Sequence, residues 1–327
     1  MGGIFFKLNV FERLKERFSS KPEEIESVNE NEVKLSPEKI KVIHPRWYFP
    51  KEGDIIYHYC SAETFLNITK HRTLRFSDIF SMNDFNEMHW GYDIFEQSAS
   101  MLQEKIPKTY FDEIDGIVSG AKTGMLPLVC CFSLDGDVLS QWRAYGQDGS
   151  GYAIGFSAKM LDNMPAKPVE VLYNKDQQIE EVSTWLKAIY EVEKNNGFTY
   201  GDDFKSHVAM RALDLCGLKN PGFKEELEIR LAHILTFSDY GPSSKLVDRG
   251  GTAWGRKVSG LPVQFRMKGE IPVSYLDLDF SNDKQENPIK IVYLGPKNKA
   301  LPSGVSVYLN TIGLTGVEIR KSETSYI

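Results

Sequence analysis

Residues 223–231, FKEELEIRL, set Glu226, Glu228 and Arg230 against Leu227, Ile229 and Leu231 in strict alternation. That is the period of a half-buried strand, on which residues two apart share a face. The pattern predicts a strand with two carboxylates and a guanidinium side by side. The same reading predicts a strand over Asp54–Cys60, a helix after a Ser61 cap, and a short strand followed by a loop in TLRFSDIFSMNDFNE. Helical periodicity covers 91–121, 175–195 and 203–217. LPLVCCFSL reads as a compact apolar strand, and GYAIGFS as another behind the turn YGQDGSG. VQFRMKGEIPVSYLDLDF reads as a hairpin turning at Lys268–Gly269, PIKIVYLGP as a strand and the region near 298–312 as a helix, with TGVEIRKSE closing the pattern. Strands and helices intermix without regular βαβ alternation. The expectation is an α+β fold with a mixed or antiparallel sheet core and several packed helices.

Ahead of this body, Phe5, Leu8, Val10, Phe11, Leu14 and Phe18 recur at helical spacing and predict a short amphipathic helix. Residues 19–40 are polar and broken by Pro22 and Pro37. The division expected is therefore 1–50 as helix and arm, and 51–327 as a single α+β domain. The Gly-rich segment TFSDYGPSSKLVDRGGTAWGRKVSGLP reads as a long loop between strands, functional or mobile in character.

Composition narrows the class. The 327 residues are 41% hydrophobic and 12% aromatic, sufficient for a sizeable core. A formal net charge of -6 gives no global basic field. Basic residues read as spread along the chain, which lends a single-strand-binding groove no specific support. Cys60, Cys130, Cys131 and Cys216 form no Cys-x-x-Cys pair and read as reduced core residues. No window approaches an uninterrupted eighteen apolar residues, so no membrane span is expected and a cytoplasmic location is. No His spacing suits a metal, and phosphate-loop, nucleophile-elbow, kinase and zinc-protease motifs do not occur.

Three constellations carry chemistry. Two close carboxylates raise each other's pKa unless a cation intervenes, so Glu226, Glu228 and Arg230 read either as a self-compensated exposed strand face or as a base or stabiliser of developing positive charge. Trp142, Arg143 and Tyr145 precede Gly146, Gly149, Gly151 and Gly155, glycines that allow close backbone approach to a phosphate or to another strand. The turn opens a strand and not a helix, so it is no dinucleotide fingerprint. His58, on a strand between Tyr57 and Tyr59, reads as a packed residue or as one that bonds a ligand sugar.

These residues together resemble a widespread bacterial family catalogued as domain of unknown function 2971. The resemblance runs roughly from 54 to 322 and rests on Phe76, Ser77, Asn83 and Asp84, on Trp142, Tyr145, Gly151, Gly155 and Phe156, and on Phe223, Glu226, Glu228 and Arg230. In chain order, a strand His, an aromatic/Ser strand and a Glu-x-Glu strand are also similar to the ADP-ribosyltransferase superfamily. That similarity implies an ADP-ribosyltransferase-like fold and NAD as substrate, with His58 on the ribose, Tyr145 or Trp142 beside nicotinamide, and Glu228 or Glu226 catalytic. It further implies a toxin or phage-defence effector with a protein or nucleic-acid acceptor. Arg230 and the Trp-x-x-Tyr turn depart from that pattern. The alternatives are a non-enzymatic nucleotide- or protein-binding module, with Trp142, Tyr145, Arg230 and Arg266 holding the ligand, and a Mg-dependent nucleic-acid enzyme using Glu226 and Glu228.

Overall fold

The computed structural model describes residues 46–79, 85–118, 125–238, 243–281 and 286–326, with backbone alone at 85–89, 212 and 213. Residues 1–45 of the expected amphipathic helix and polar arm, with Asn83 and Asp84, lie outside the described residues.

In chain order the elements are β1 (Ile55–Cys60), α1 (Ala62–His71), β2 (Thr73–Asp78), α2 (Phe85–Leu102), α3 (Lys108–Val118), β3 (Met125–Ser133), α4 (Leu139–Ala144), β4 (Tyr152–Ser157), α5 (Ala158–Leu161), β5 (Lys167–Glu170), α6 (Lys175–Asn195) and α7 (Asp202–Asp214). Then follow β6 (Glu228–Phe237), β7 (Leu246–Asp248), β8 (Gly251–Ala253), β9 (Arg256–Val258), β10 (Gln264–Lys268), β11 (Ile271–Asp279), β12 (Ile289–Leu294), α8 (Pro302–Thr311) and β13 (Glu318–Lys321). The fold is α+β, built on an 11-stranded, mostly antiparallel sheet. Within the expected helical stretch 91–121 the described helix breaks around Pro107, as a missing N–H and a fixed φ require. The expected Gly-rich loop carries three short strands, β7 to β9.

β3 is the hub. Along one edge it pairs with β6 over its whole length, from Met125 opposite Thr236 to Ser133 opposite Glu228. Its other edge is shared: β2 takes Leu128 and Val129, and β1 takes Ser133. Between those contacts β1 and β2 part. β1 continues through β4 and β12 to β13, while β2 continues through β11 to β10. β6 carries β5 and β7 on its outer edge.

Strand alternation sorts side chains to two faces. One face buries Phe76, Leu128, Phe132, Phe156, Ile229 and Leu231 in the main core, covered by α1 and α8. A second core lies among α2, α3, α6 and α7, around Tyr110, Trp185 and Phe204. Residues 46–50, which the sequence reading places with the arm, run along β5. Tyr48 N donates to Pro168 O at 2.9 Å, and Trp47 bridges Val169.

α1 shows why the sequence punctuates as it does. Ser61 Oγ accepts from Thr64 N at 3.2 Å at its start, and Arg72, left-handed at φ 58, closes its end by donating its N–H to Ile68 O at 2.9 Å. α8 contains an exposed Gly304 whose added Cβ would meet nothing within 4 Å. Gly304→Ala is expected to stabilise the protein by about 0.5–1 kcal/mol, because alanine loses less backbone freedom on entering a helix. A denaturation midpoint at or below that of the parent chain would contradict this.

Candidate functional site

Four ionisable side chains meet where β6 begins. The chain reaches that point through a 3-10 turn at Pro221–Glu226, with Pro at its first position and Asn220 Oδ1 accepting from Gly222 N at 2.8 Å. Leu227 then adopts φ 45, a left-handed conformation that no strand contains. The strand expected from residue 223 therefore starts only at Glu228. The kink folds Glu226 back beside Glu228, so the two carboxylates meet without sharing a strand.

Lys219 lies between them. Its Nζ is bonded to Glu226 Oε2 and stands 3.0 Å from Glu228 Oε2. Arg230 grips Glu228 with a fork, Nε to Oε1 at 2.8 Å and one terminal nitrogen to Oε2 at 3.0 Å, while its other terminal nitrogen donates to Cys216 O at 2.6 Å. Tyr173 Oη accepts from Glu228 N at 2.9 Å. Lys219, Glu226, Glu228 and Arg230 are only 2%, 7%, 5% and 5% exposed, which overturns the exposed-edge alternative. Burial pushes the Glu228 carboxyl towards neutrality, but the Arg230 and Lys219 charges prevail and hold it at about 2. Both Glu228 oxygens are engaged by cations, so its task is to hold Arg230 and Lys219. With an ammonium standing between the carboxylates, the position a shared Mg²⁺ would take is filled by Lys219.

Glu226 meets the surface. Tyr145 Oη donates to Glu226 Oε1 at 3.5 Å, and Lys219 Nζ lies 5.1 Å from the Phe223 ring centre. Tyr145 and Phe223 are each 37% exposed. Leu134 and Leu227, also exposed, are joined to each other by Leu134 N to Leu227 O at 3.0 Å, and Leu227 follows Glu226 in the chain. The result is a partly apolar rim over a buried, charge-neutral cluster. Burial raises the Tyr145 hydroxyl pKa, with the nearby Glu226 charge adding to it, so the phenol stays protonated and donates.

The other expected residues are dispersed. Tyr57 pairs with Ser133 and Ser133 with Glu228, so Tyr57 shares the carboxylate face and His58, one residue on, takes the opposite face. There its Nδ1 lies 2.9 Å from Cys131 O and its ring 5.5 Å from Phe132. His58 thus closes the fork where β1 and β2 part, and burial lowers its pKa. The expectation that His58 and Glu228 share one ligand is corrected by this parity. Ser77, opposite Val129, is on the carboxylate face, further along β3 than Cys131. Trp142 is 0% exposed, donates from Nε1 to Asp137 Oδ1 at 2.7 Å and stands edge-on to Tyr59 at 4.8 Å. It is a core residue and offers no face to a ligand. Arg143 is exposed, 5.8 Å from the Tyr326 ring. Arg266 sits on β10, separated from β6 by β11, β2 and β3, and is not part of this site.

Sequence reasoning missed Lys219 and Tyr173. Lys219 lies in CGLKNPGF, where a single lysine is flanked by apolar and turn residues and followed seven and nine positions later by Glu226 and Glu228. That isolation is the signal that was there to read.

Residues 141–231 match a family model described as a protein of unknown function (DUF2971). The matched stretch includes Tyr145, Tyr173, Lys219, Glu226, Glu228 and Arg230, and thus the whole cluster. The wider resemblance, from 54 to 322, extends beyond it on both sides. No curated protein and no solved structure matches the chain. Among the described residues no helix is long and apolar enough to cross a membrane.

Proposed function

We propose that the protein binds a nucleotide at the rim formed by Tyr145 and Phe223, with NAD the first candidate, and that Glu226 is the carboxylate that meets it. One observation carries this reading: a buried carboxylate and a buried ammonium stand directly beneath two partly exposed aromatic rings. Aromatic faces stack on bases or nicotinamide, and the polar pair beneath suits ribose or phosphate. In an ADP-ribosyltransferase-like reaction, Glu226 would stabilise the positive charge that develops on the ribose as nicotinamide leaves, while Glu228 and Arg230 position Lys219.

The charge balance favours a second reading. Two carboxylates facing two cations sum to zero, a weak field for a developing oxocarbenium, and a site of this kind also suits a module that binds nucleotide without turnover.

Calorimetry with NAD and chromatographic detection of nicotinamide separate the two. For the transferase, Glu226→Gln is expected to lower nicotinamide release by about 10²- to 10³-fold with NAD still bound, and Tyr145→Ala to weaken NAD binding by about tenfold, a typical loss for one stacking ring. Binding without release in the parent chain selects the module. Absence of NAD binding, or binding indifferent to Tyr145→Ala, refutes the site.

A further inference from the structure

β10 ends the sheet order among the described residues, and it is exposed along its length apart from the half-buried Lys268. It pairs with β11 from Gln264 opposite Tyr275 to Lys268 opposite Ile271, and the two strands join through Gly269, at φ 59, and Glu270. Alternation divides its side chains. Phe265 and Met267 stand opposite Ser274 and Pro272, in step with Leu276, which pairs with Phe76 in the main core. Val263, two residues before Phe265, packs half-buried against that core. These three residues carry the core's face out to the edge of the sheet, where Phe265 and Met267 are 59% and 63% exposed. Gln264, Arg266 and Lys268 take the other face.

The backbone groups follow the same alternation. Across a two-residue hairpin loop the flanking residues bond to each other, here Lys268 and Ile271. Lys268, Arg266 and Gln264 therefore turn their N–H and C=O groups towards β11, and Val263, Phe265 and Met267 turn theirs out of the sheet. Pro262 belongs to the inward set, so its missing N–H takes nothing from the outer edge.

We propose that a second copy of the chain docks on this edge, its β10 antiparallel to the first, about a two-fold axis at Phe265. That register sets Phe265 against Phe265 and Val263 against Met267, so the residues that exchange backbone bonds also make the apolar pairs. On the opposite face it sets Gln264 against Arg266, an amide against a guanidinium. An axis at Arg266 would oppose two guanidinium groups, and an axis at Met267 would oppose Arg266 and Lys268. The strand is self-complementary in the first register, and an isologous contact of that kind identifies the partner as the same chain. An edge guarded against pairing carries a bulge or a charge on its core-facing side. Here the core-facing positions are apolar, and the register with β11 runs without a shift. One strand from each copy makes a small interface, so a Kd of about 10–100 µM is expected. This edge is separate from the nucleotide rim and does not depend on it.

The test is sedimentation equilibrium of the full chain from below to well above that range, with hydrogen exchange measured over residues 263–268 at the same concentrations. Phe265→Lys places ammonium against ammonium on the axis and should weaken self-association at least about a hundredfold. Met267→Lys should weaken it at least about tenfold, and Arg266→Gln should leave it within about threefold. Backbone bonds and apolar pairs carry the contact, and copies with a formal net charge of -6 repel each other, so added salt should not weaken it. Exchange over 263–268 should slow as the parent chain dimerises, and stay fast in Phe265→Lys. The substituted side chains are exposed, so unchanged thermal unfolding in dilute solution will confirm that the variants fold. A chain that stays monomeric throughout, self-association that survives Phe265→Lys, or a dimer that salt dissociates would each overturn the assignment. So would slow exchange of this edge in the monomer, the sign of a cover supplied by the chain itself.

Discussion

Arg230→Ala is expected to cost about 3–5 kcal/mol of folding stability, because it strips a buried carboxylate of its main partner. Arg230 supplies two bonds to Glu228 and a third to the Cys216 carbonyl, and the group left behind is 5% exposed. Lys219 alone would then face both Glu226 and Glu228. Glu228→Gln breaks the same pair from the other side: it leaves the buried Arg230 guanidinium without its counter-charge and is expected to destabilise as well. The cluster also sets an acid limit. Glu228 has a folded pKa of about 2 against an ordinary 4.5, so its stabilisation is fully present above pH 4.5 and is lost as pH falls towards 2. That shift corresponds to something on the order of 3 kcal/mol. Urea denaturation of the parent and Arg230→Ala chains at pH 7 and pH 3 checks both points. A loss under about 1 kcal/mol at pH 7, or a difference that does not shrink in acid, would refute the account.

How much of this was legible beforehand follows from what each signal encodes. Alternation at β6 and the continuous apolar run at β3 are local consequences of burial, and they located those strands within a few residues. The Lys268–Gly269 turn was readable because Gly269 sits at φ 59, the conformation glycine adopts at no steric cost. The clustering of Glu226, Glu228 and Arg230 was anticipated, but through the wrong backbone: the left-handed Leu227 has no compositional mark. Which face His58 takes depends on the register of β1 against β3, a tertiary fact that no single-strand pattern contains. Trp142 looked like a stacking residue beside a turn, yet its indole N–H finds Asp137 and its rings find Tyr59, partners set by the closure of the sheet.

The Gly-rich turn raised a choice between a phosphate cradle and a close meeting of strands, and Gly151→Ala decides it. A Cβ at Gly151 would lie 2.1 Å from the Cys60 carbonyl oxygen and 2.9 Å from that of Gly146, both backbone atoms that cannot swing aside. The neighbouring bonds leave little room for adjustment: Gly151 N donates to Gly146 O at 2.8 Å, Gly295 N to Gly151 O at 3.1 Å and Lys297 N to Gly149 O at 2.8 Å. Relief would require β1 and β4 to separate just where Cys60 pairs with Tyr152. The substitution is therefore expected to cost about 4 kcal/mol or more, at the far end of what point changes do, and to leave little folded protein at 37 °C. A phosphate cradle predicts the reverse, a chain of near-normal stability with weakened anion binding. Thermal unfolding of Gly151→Ala beside Gly304→Ala makes the comparison within one protein: a steep loss at 151 with none at 304 assigns the turn to strand packing, whereas similar midpoints would return it to the ligand.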